Sequence, residues 1–305
     1  MTNAVLPKII SIVGPNASGK SSAGLELAKK YNGEIISADS RQVYRGFDLC
    51  SGKVTPGERQ QVPHHLLDVR DIGQPFSVAD FQNQAYAAIS GIIKRGKVPF
   101  IVGGTGLYVD SVVHGYVIEE EQPDDKLRAR LEAKSLEELL GMLPKDVINS
   151  LKSNPSDFAN KRRIIRLVEK TEKGKPLEKE RRPQYRALQL GVTWPKDMLH
   201  KRIDERLAAR IRQGMIGEVR EYLDSGGNPG HLHDLGLEYR HILWHLTGKH
   251  GSIDEFQTEM GTAIKQFAKR QLTWFKRDEN IHWLDMAGDH TGQASDLVKR
   301  FLAAP

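Results

Sequence analysis

The chain has one cysteine, Cys50, in 305 residues, which excludes an intramolecular disulfide and a multi-cysteine zinc site and gives no argument for an oxidising compartment. Long apolar runs are also missing. The first one, Ile9, Ile10, Ile12 and Val13, is too short for a signal peptide or a membrane span, so a cytoplasmic location with no membrane partner is expected. There is no internal repeat and no low-complexity segment. What is present is enough length for a core plus an insertion. The formal charge of +6 is compatible with a polyanionic partner.

The short apolar run leads directly into Gly14-Pro15-Asn16-Ala17-Ser18-Gly19-Lys20-Ser21. Strand, G-x-x-x-x-G-K-S, then helix is the order of a phosphate-binding loop. Its glycines let backbone N–H groups turn toward phosphate oxygens, Lys20 adds a point charge, Ser21 offers a hydroxyl to Mg²⁺, and the following helix aims its positive end at the anion. This predicts an α/β fold, a P-loop NTPase-like core with a parallel sheet flanked by helices, and a site for a diphosphate or triphosphate.

A second strand, Glu34 to Ala38, delivers Asp39-Ser40-Arg41-Gln42-Val43-Tyr44 at its carboxyl end, where ligands gather in open parallel sheets. Asp39 there fits proton transfer, capping of the next helix or support of bound magnesium equally well. His64 and His65 are adjacent and would point to opposite faces of a strand, which suits hydrogen bonding at the substrate mouth better than joint metal ligation. Ser77 is placed to cap a helix running through Arg95. Pro99 to Val102 then forms a strand ending in Gly103-Gly104-Thr105-Gly106, whose small residues permit close backbone approach and leave Thr105 as the polar side chain.

From about Glu119 to about Tyr185 the chain becomes helical and charged. The division expected is a core of residues 1–118 and 187–288, a helical insertion at 119–186, and a frayed tail at 289–305. Ser135-Leu136-Glu137-Glu138 opens a helix with a capping box, and Asn154-Pro155-Ser156-Asp157 breaks the pattern before the next. From Lys161 to Arg186 there are eleven Lys or Arg against four Glu, a local net of +7. Arg162, Arg163, Arg166 and Lys170 share a helical face with Ile164, Leu167 and Val168 inward. That face fits a phosphate backbone at least as well as a solvated surface, whereas Lys173 to Lys179 reads as solvated surface. Leu190 to Trp194 is a return strand. Arg202, Arg206 and Arg210 then recur every four residues and need an anion or carboxylates to answer them. Lys265 to Arg277 is a basic helix around Trp274, suited to an RNA surface.

Taken with His64 to Asp68, Arg162 to Arg166 and Ala268-Lys269-Arg270-Gln271-Leu272-Thr273-Trp274-Phe275, these motifs resemble, in order and over nearly the whole chain, the bacterial tRNA dimethylallyltransferases of the IPP transferase family. The resemblance implies transfer of a dimethylallyl group from dimethylallyl diphosphate to N6 of adenosine 37, beside the anticodon, in tRNAs reading codons that begin with U. It designates Asp39 as the base that takes the N6 proton and Thr105 as a hydrogen-bonding group at the reacting centre. Lys20, Ser21 with Mg²⁺, and Arg206, with Arg202 second, are implied for the diphosphate. Asp39, Ser40, Arg41, Gln42, Thr105, Arg128, Arg162, Arg163, Ile164, Ile165 and Arg166 are implied for the tRNA anticodon stem-loop, on a monomer. Two departures stand out: Asn16 occupies a position usually threonine, and Gly236-Leu237-Glu238-Tyr239-Arg240 differs from the more frequent Gly-Tyr-Lys/Arg-Glu. The zinc finger of eukaryotic relatives is absent, as one cysteine requires. Rival readings are an adenylate isopentenyltransferase acting on free AMP, ADP or ATP, an ATP phosphotransferase, and a nucleotide-switched RNA-binding protein.

Overall fold

A computed structural model describes residues 6–118, 124–152, 158–175 and 180–305. Its six strands are β1 (Lys8–Val13), β2 (Gly33–Ser37), β3 (His64–His65), β4 (Val98–Gly103), β5 (Arg186–Thr193) and β6 (Ile281–Asp285). They form one parallel sheet in the order β3-β2-β4-β1-β5-β6. A parallel sheet is covered on both faces, which explains why β1, β2 and β4 are almost continuously buried. Phe81, Ile89 and Ile92 of the helix Val78–Lys94 and Val109 and Val112 of the helix Gly106–Val113 pack on one side. Leu27 and Ala28 of the helix Lys20–Lys30 contribute to the core on the other. β1 lies between β4 and β5, so the chain leaves it toward one edge and later returns on its other flank. The crevice at such a switch point, beyond the carboxyl ends of the strands, is where a ligand fits.

Several elements differ from the sequence expectation. The return strand starts at Arg186 rather than Leu190, because its pairing with β1 runs from Lys8 opposite Arg186 to Val13 opposite Gly191. β6 was not anticipated; it adds to β5 from Gln189 opposite Ile281 to Thr193 opposite Asp285. The stretch expected to fray from 289 is instead the helix His290–Ala303. Asp289 caps it by accepting from the Gly292 N–H at 3.0 Å, and Ala294 and Val298 are buried. Leu297, Phe301 and Leu302 pack against the same core, so the helix is anchored by a few apolar side chains within a mostly polar stretch.

Contacts divide the chain into two compact units, Met1–Gly115 with Pro183–Pro305, and Tyr116–Arg182. In the larger unit, the helices Lys196–Arg212, Met215–Asp224, Leu237–Leu246 and Ile253–Phe275 share a second core that includes Leu199, Ile203, Val219, Tyr239, Phe256 and Met260. The smaller unit packs the helices Asp125–Glu132, Leu136–Gly141, Lys145–Lys152 and Lys161–Glu172 around Leu131, Leu139, Leu151, Ile164, Ile165 and Val168. Ser135 and Glu138 form the capping box. The start at Glu119, the break at Asn154 to Asp157, and Pro176 to Lys179 lie outside the described residues.

Candidate active site

The loop Gly14 to Ser21 follows the last residue of β1 and runs into the helix Lys20–Lys30. Ala17 (φ 62°) and Gly19 (φ 92°) take the left-handed conformation that a tight phosphate cradle requires. Side chains from the segment after β5 and from the helix Lys196–Arg212 fix its backbone. Arg202 Nε donates to the Ala17 carbonyl at 3.1 Å and Trp194 Nε1 to the Ser18 carbonyl at 3.0 Å, with the Arg202 guanidinium 4.6 Å from the indole centroid. Engaging these carbonyls leaves the inner face of the turn to its N–H groups. Ser18 Oγ is buried without a protein partner, a donor available to an anion. Lys20 Nζ donates to the Pro15 carbonyl at 3.2 Å. Asn16 is held through its main chain, its N–H donating to Gln271 Oε1 at 2.8 Å. The side-chain type at position 16 is therefore not what anchors the loop.

The loops after β2 and β4 meet beside this cradle. Asp39 Oδ1 accepts from the Arg41 N–H at 2.9 Å. Thr105 Oγ1 accepts from the Ser40 N–H at 3.0 Å, and the Thr105 N–H donates to the Ala38 carbonyl at 3.1 Å. Thr105 thus fixes the segment that presents Asp39. Gln271 closes the arrangement by donating from Nε2 to the Gly104 carbonyl at 2.9 Å while its Oε1 holds Asn16. The glycines here make room for protein neighbours: a Cβ on Gly103 would strike the Ala38 carbonyl, and one on Gly104 the Gln271 amide.

A cleft of about 450 Å³ opens over the loop, lined by Ala17 to Ser22, Gly52, Arg202, Glu205 and Arg206 among others. Burial lowers the Lys20 pKa to about 8, against the pull of Asp39 and with help from Arg206 and Arg210. Burial likewise lowers Arg206 to about 10, with Arg210 adding repulsion and Asp39 and Glu238 opposing it. Arg210 is lowered by burial too, and Glu238 is raised by it. Positive groups are crowded here beyond what Asp39 and Glu238 offset, which is the electrostatic condition for taking up a polyanion. The arginines divide their work. Arg202 braces the loop backbone, Arg206 lines the cleft, and Arg210 reaches the same place at Gly52, where a Cβ would strike Arg210 Nη2 and fall 2.6 Å from Arg206 Nη2. Arg210 belonged to the four-residue repeat but had no local mark distinguishing it. Gln271 and Glu238 lie in stretches the sequence singled out, but nothing local assigned them or Trp194 a role, because those roles depend on contacts across the fold.

Other residues lie elsewhere. His65 Nε2 is 2.7 Å from Glu34 Oε2 and His64 Nδ1 is 2.7 Å from the Val62 carbonyl. Burial would raise Glu34, but hydrogen bonds from Arg95, His65 and Lys97 outweigh it and hold the carboxyl at about 2. Both histidines therefore serve the edge of the sheet rather than the substrate mouth. Asp68 accepts from Lys53 at 2.6 Å and Arg59 at 2.8 Å. In the smaller unit, Arg162, Arg163 and Arg166 are exposed. Arg128 Nε and Arg166 Nη1 both donate to Glu169, at 3.0 and 3.2 Å, and the Glu169 side chain is only 4% exposed. Ile164 and Ile165, expected among tRNA-contacting residues, have their side chains in the core of this unit; their hydrophobicity puts them on the inner face of the arginine helix.

The model of the IPP transferase family matches residues 42–278. Among curated proteins, tRNA dimethylallyltransferase 2 of Shewanella sediminis is 40% identical over 296 residues, 95% of this chain and 97% of that protein. The tRNA dimethylallyltransferase of Carboxydothermus hydrogenoformans is 43% identical over 303 residues, 95% of this chain and 96% of its own. The solved tRNA isopentenylpyrophosphate transferase of Bacillus halodurans superposes with a TM-score of 0.71 at 35% identity, covering 97% of this chain and 95% of that one. A eukaryotic dimethylallyltransferase solved acting on tRNA gives 0.74 at 25% identity, covering 97% of this chain and 78% of its own.

Proposed function

The chain belongs to the IPP transferase family and its activity is that of a tRNA dimethylallyltransferase, and we propose that it carries the group from dimethylallyl diphosphate to N6 of adenosine 37, in tRNAs reading codons that begin with U. The observation that carries this reading is that the Asp39 carboxylate, held by the Arg41 N–H at the end of β2, acts electrostatically on both Lys20 and Arg206 beside the phosphate loop. A base for the incoming amine and cations for the departing diphosphate are thereby held in one place.

The adenine N6 lone pair is delocalised into the ring, so N6 attacks poorly unless its proton is accepted as the C–N bond forms. Asp39 takes that proton. Its carboxylate is oriented by the Arg41 N–H, and its loop is held by Thr105. As the new bond forms, the bond from the allylic carbon to the diphosphate oxygen breaks, and negative charge grows on the leaving group. The loop N–H groups, Lys20 and Arg206 meet that charge where it develops. Because both side chains are held below their ordinary pKa by burial, the diphosphate strengthens their protonation as it arrives.

Ser21 lines the cleft at the start of its helix. A hydroxyl beside phosphate oxygens is a donor set that fits Mg²⁺. When bound there, the ion would draw charge from the leaving diphosphate. On the smaller unit, exposed Arg162 and Arg163, with Arg128 and Arg166 braced on Glu169, suit tRNA phosphates. The target base stands in a loop and is splayed from its stack to react. The protein is proposed to act as a monomer, and a tRNA substrate supports a cytoplasmic site of action. Among the described residues no helix is long and apolar enough to cross a membrane.

The test is to incubate the protein with dimethylallyl diphosphate and a mixture of tRNA, AMP, ADP and ATP, then analyse anticodon-loop nucleosides by mass spectrometry. N6-dimethylallyladenosine at position 37 is the expected product. Prenylation confined to free nucleotides, or ATP turnover with no prenylation, would sink the assignment.

A further inference from the structure

Away from the phosphate loop, the helix Leu237–Leu246, the connection that follows it and the helix Ile253–Phe275 bring together His241, His250 and Glu259. One ligand atom from each lies within 4.8 Å of the other two. His241 Nδ1 and His250 Nε2 are buried without hydrogen-bond partners, although buried polar atoms in folded proteins are nearly always satisfied. His250 is 7% exposed, and its Nδ1 lies 3.1 Å from Glu259 Oε2. The two imidazoles stack at 5.7 Å between centroids and 11° between planes. The Glu259 side chain is 60% exposed, which gives an entry path from solvent.

We propose that His241, His250 and Glu259 bind a transition-metal dication of the Zn²⁺ type, which clips the helix Leu237–Leu246 to the helix Ile253–Phe275. Two imidazole nitrogens and a carboxylate are a common zinc donor set, with water in the fourth position. Zn–N bonds of about 2.0–2.1 Å require the three atoms to draw closer than they stand and the stacked rings to turn from parallel, so that two in-plane lone pairs meet one ion. His241 is half-buried, and no protein group occupies its Nδ1. Arg240 and Lys249 bring positive charge near the site, and the Lys249 ammonium sits 3.8 Å over the Trp244 ring. Only one oxygen ligand faces that charge, so Mg²⁺ and Ca²⁺, which need several oxygens, are disfavoured against a metal held by nitrogen lone pairs. The spacings 241 to 250 to 259 follow no helical or finger pattern, so the set emerges only when the helices pack.

The test is calorimetric titration of Zn²⁺ into the full chain with Mg²⁺ in excess, together with thermal unfolding with and without Zn²⁺. The variants are Glu259→Gln and the pair His241→Ala with His250→Ala. The wild type should bind one equivalent and gain thermal stability. Even partners that only orient a metal ligand are worth about 10–100-fold in affinity, so Glu259→Gln should weaken binding by at least about tenfold. The double variant should lose the equivalent altogether. Glu259 is exposed, so its variant decides the matter if the histidine pair fails to fold. No binding by the wild type, or an isotherm and stabilisation unchanged in Glu259→Gln, overturns the proposal.

Discussion

Two helices carry arginines at helical spacing, Lys161–Glu172 in the smaller unit and Lys196–Arg212 in the larger, and the fold uses them in opposite ways. In the first, Arg162 and Arg163 are exposed and Arg166 rests on Glu169, while Ile164, Ile165 and Val168 seal a core behind them. In the second, Arg202 is bonded to the phosphate loop, while Arg206, itself exposed toward the cleft, and half-buried Arg210 are desolvated and crowded by one another, which lowers their pKa values. A guanidinium in solvent offers attraction that salt screens. One set among protein groups keeps its field and its orientation. The first helix therefore should govern capture of a polyanion, and the second the reaction on it.

Asp39→Ala makes the sharpest break. The single-turnover rate should fall by about 10²–10⁴-fold, the range for losing a general base, with tRNA affinity almost unchanged. An undiminished rate would remove Asp39 from proton transfer. Arg206→Ala follows, with a loss of about 10²–10³-fold in the chemical step, as for a donor aimed at developing charge. If Arg202→Ala cost more in that step than Arg206→Ala, the division between bracing and stabilising would be reversed. Replacing Arg162 and Arg166 together should leave the single-turnover rate at saturating tRNA alone. It should weaken tRNA binding and lower the slope of log affinity against log salt by about 1 for each phosphate no longer engaged. Unchanged affinity and slope would make that face ordinary solvated surface.

The smallest effect concerns Lys20, whose pKa is lowered to about 8 from 10.5. Between those values the folded, ligand-free protein holds fewer protons there than the unfolded chain, so this group's contribution to stability rises with pH across that window. A bound diphosphate restores the charge. Near pH ~9 the heat of diphosphate binding should then depend on the ionisation enthalpy of the buffer as a proton is taken up, and near pH ~7 Lys20 should add no such dependence. Equal dependence at both pH values would mean that Lys20 is not the group being charged.

Signals confined to a few neighbouring residues were legible in the sequence. The phosphate loop, the Ser77 cap, the capping box of Ser135 with Glu138, and the strand ends that present Asp39 and Thr105 are of this kind. Structure that depends on distant partners was not. β6 pairs only with β5, and the helix His290–Ala303 buries small residues on a surface built by other elements. Adjacent histidines suggested chemistry, yet His65 has its partner 31 positions away at Glu34. The arginine repeat was visible from residue 202 to 210, but its division of labour required Ala17, Trp194 and Gly52 to be in place around it.

Gln271 joins Asn16 to Gly104 across separations of 255 and 167 residues. Synthesis runs from the N-terminus, and domains generally fold as units. The phosphate-binding motif is thus among the first parts of the chain to leave the ribosome, yet it gains this clasp only after the helix Ile253–Phe275 has been made and docked. A nascent or truncated chain carries the complete motif with an unclasped loop. The shape of the first motif made is thereby tied to the arrival of the last helices, and the loop is finished only when the chain nearly is.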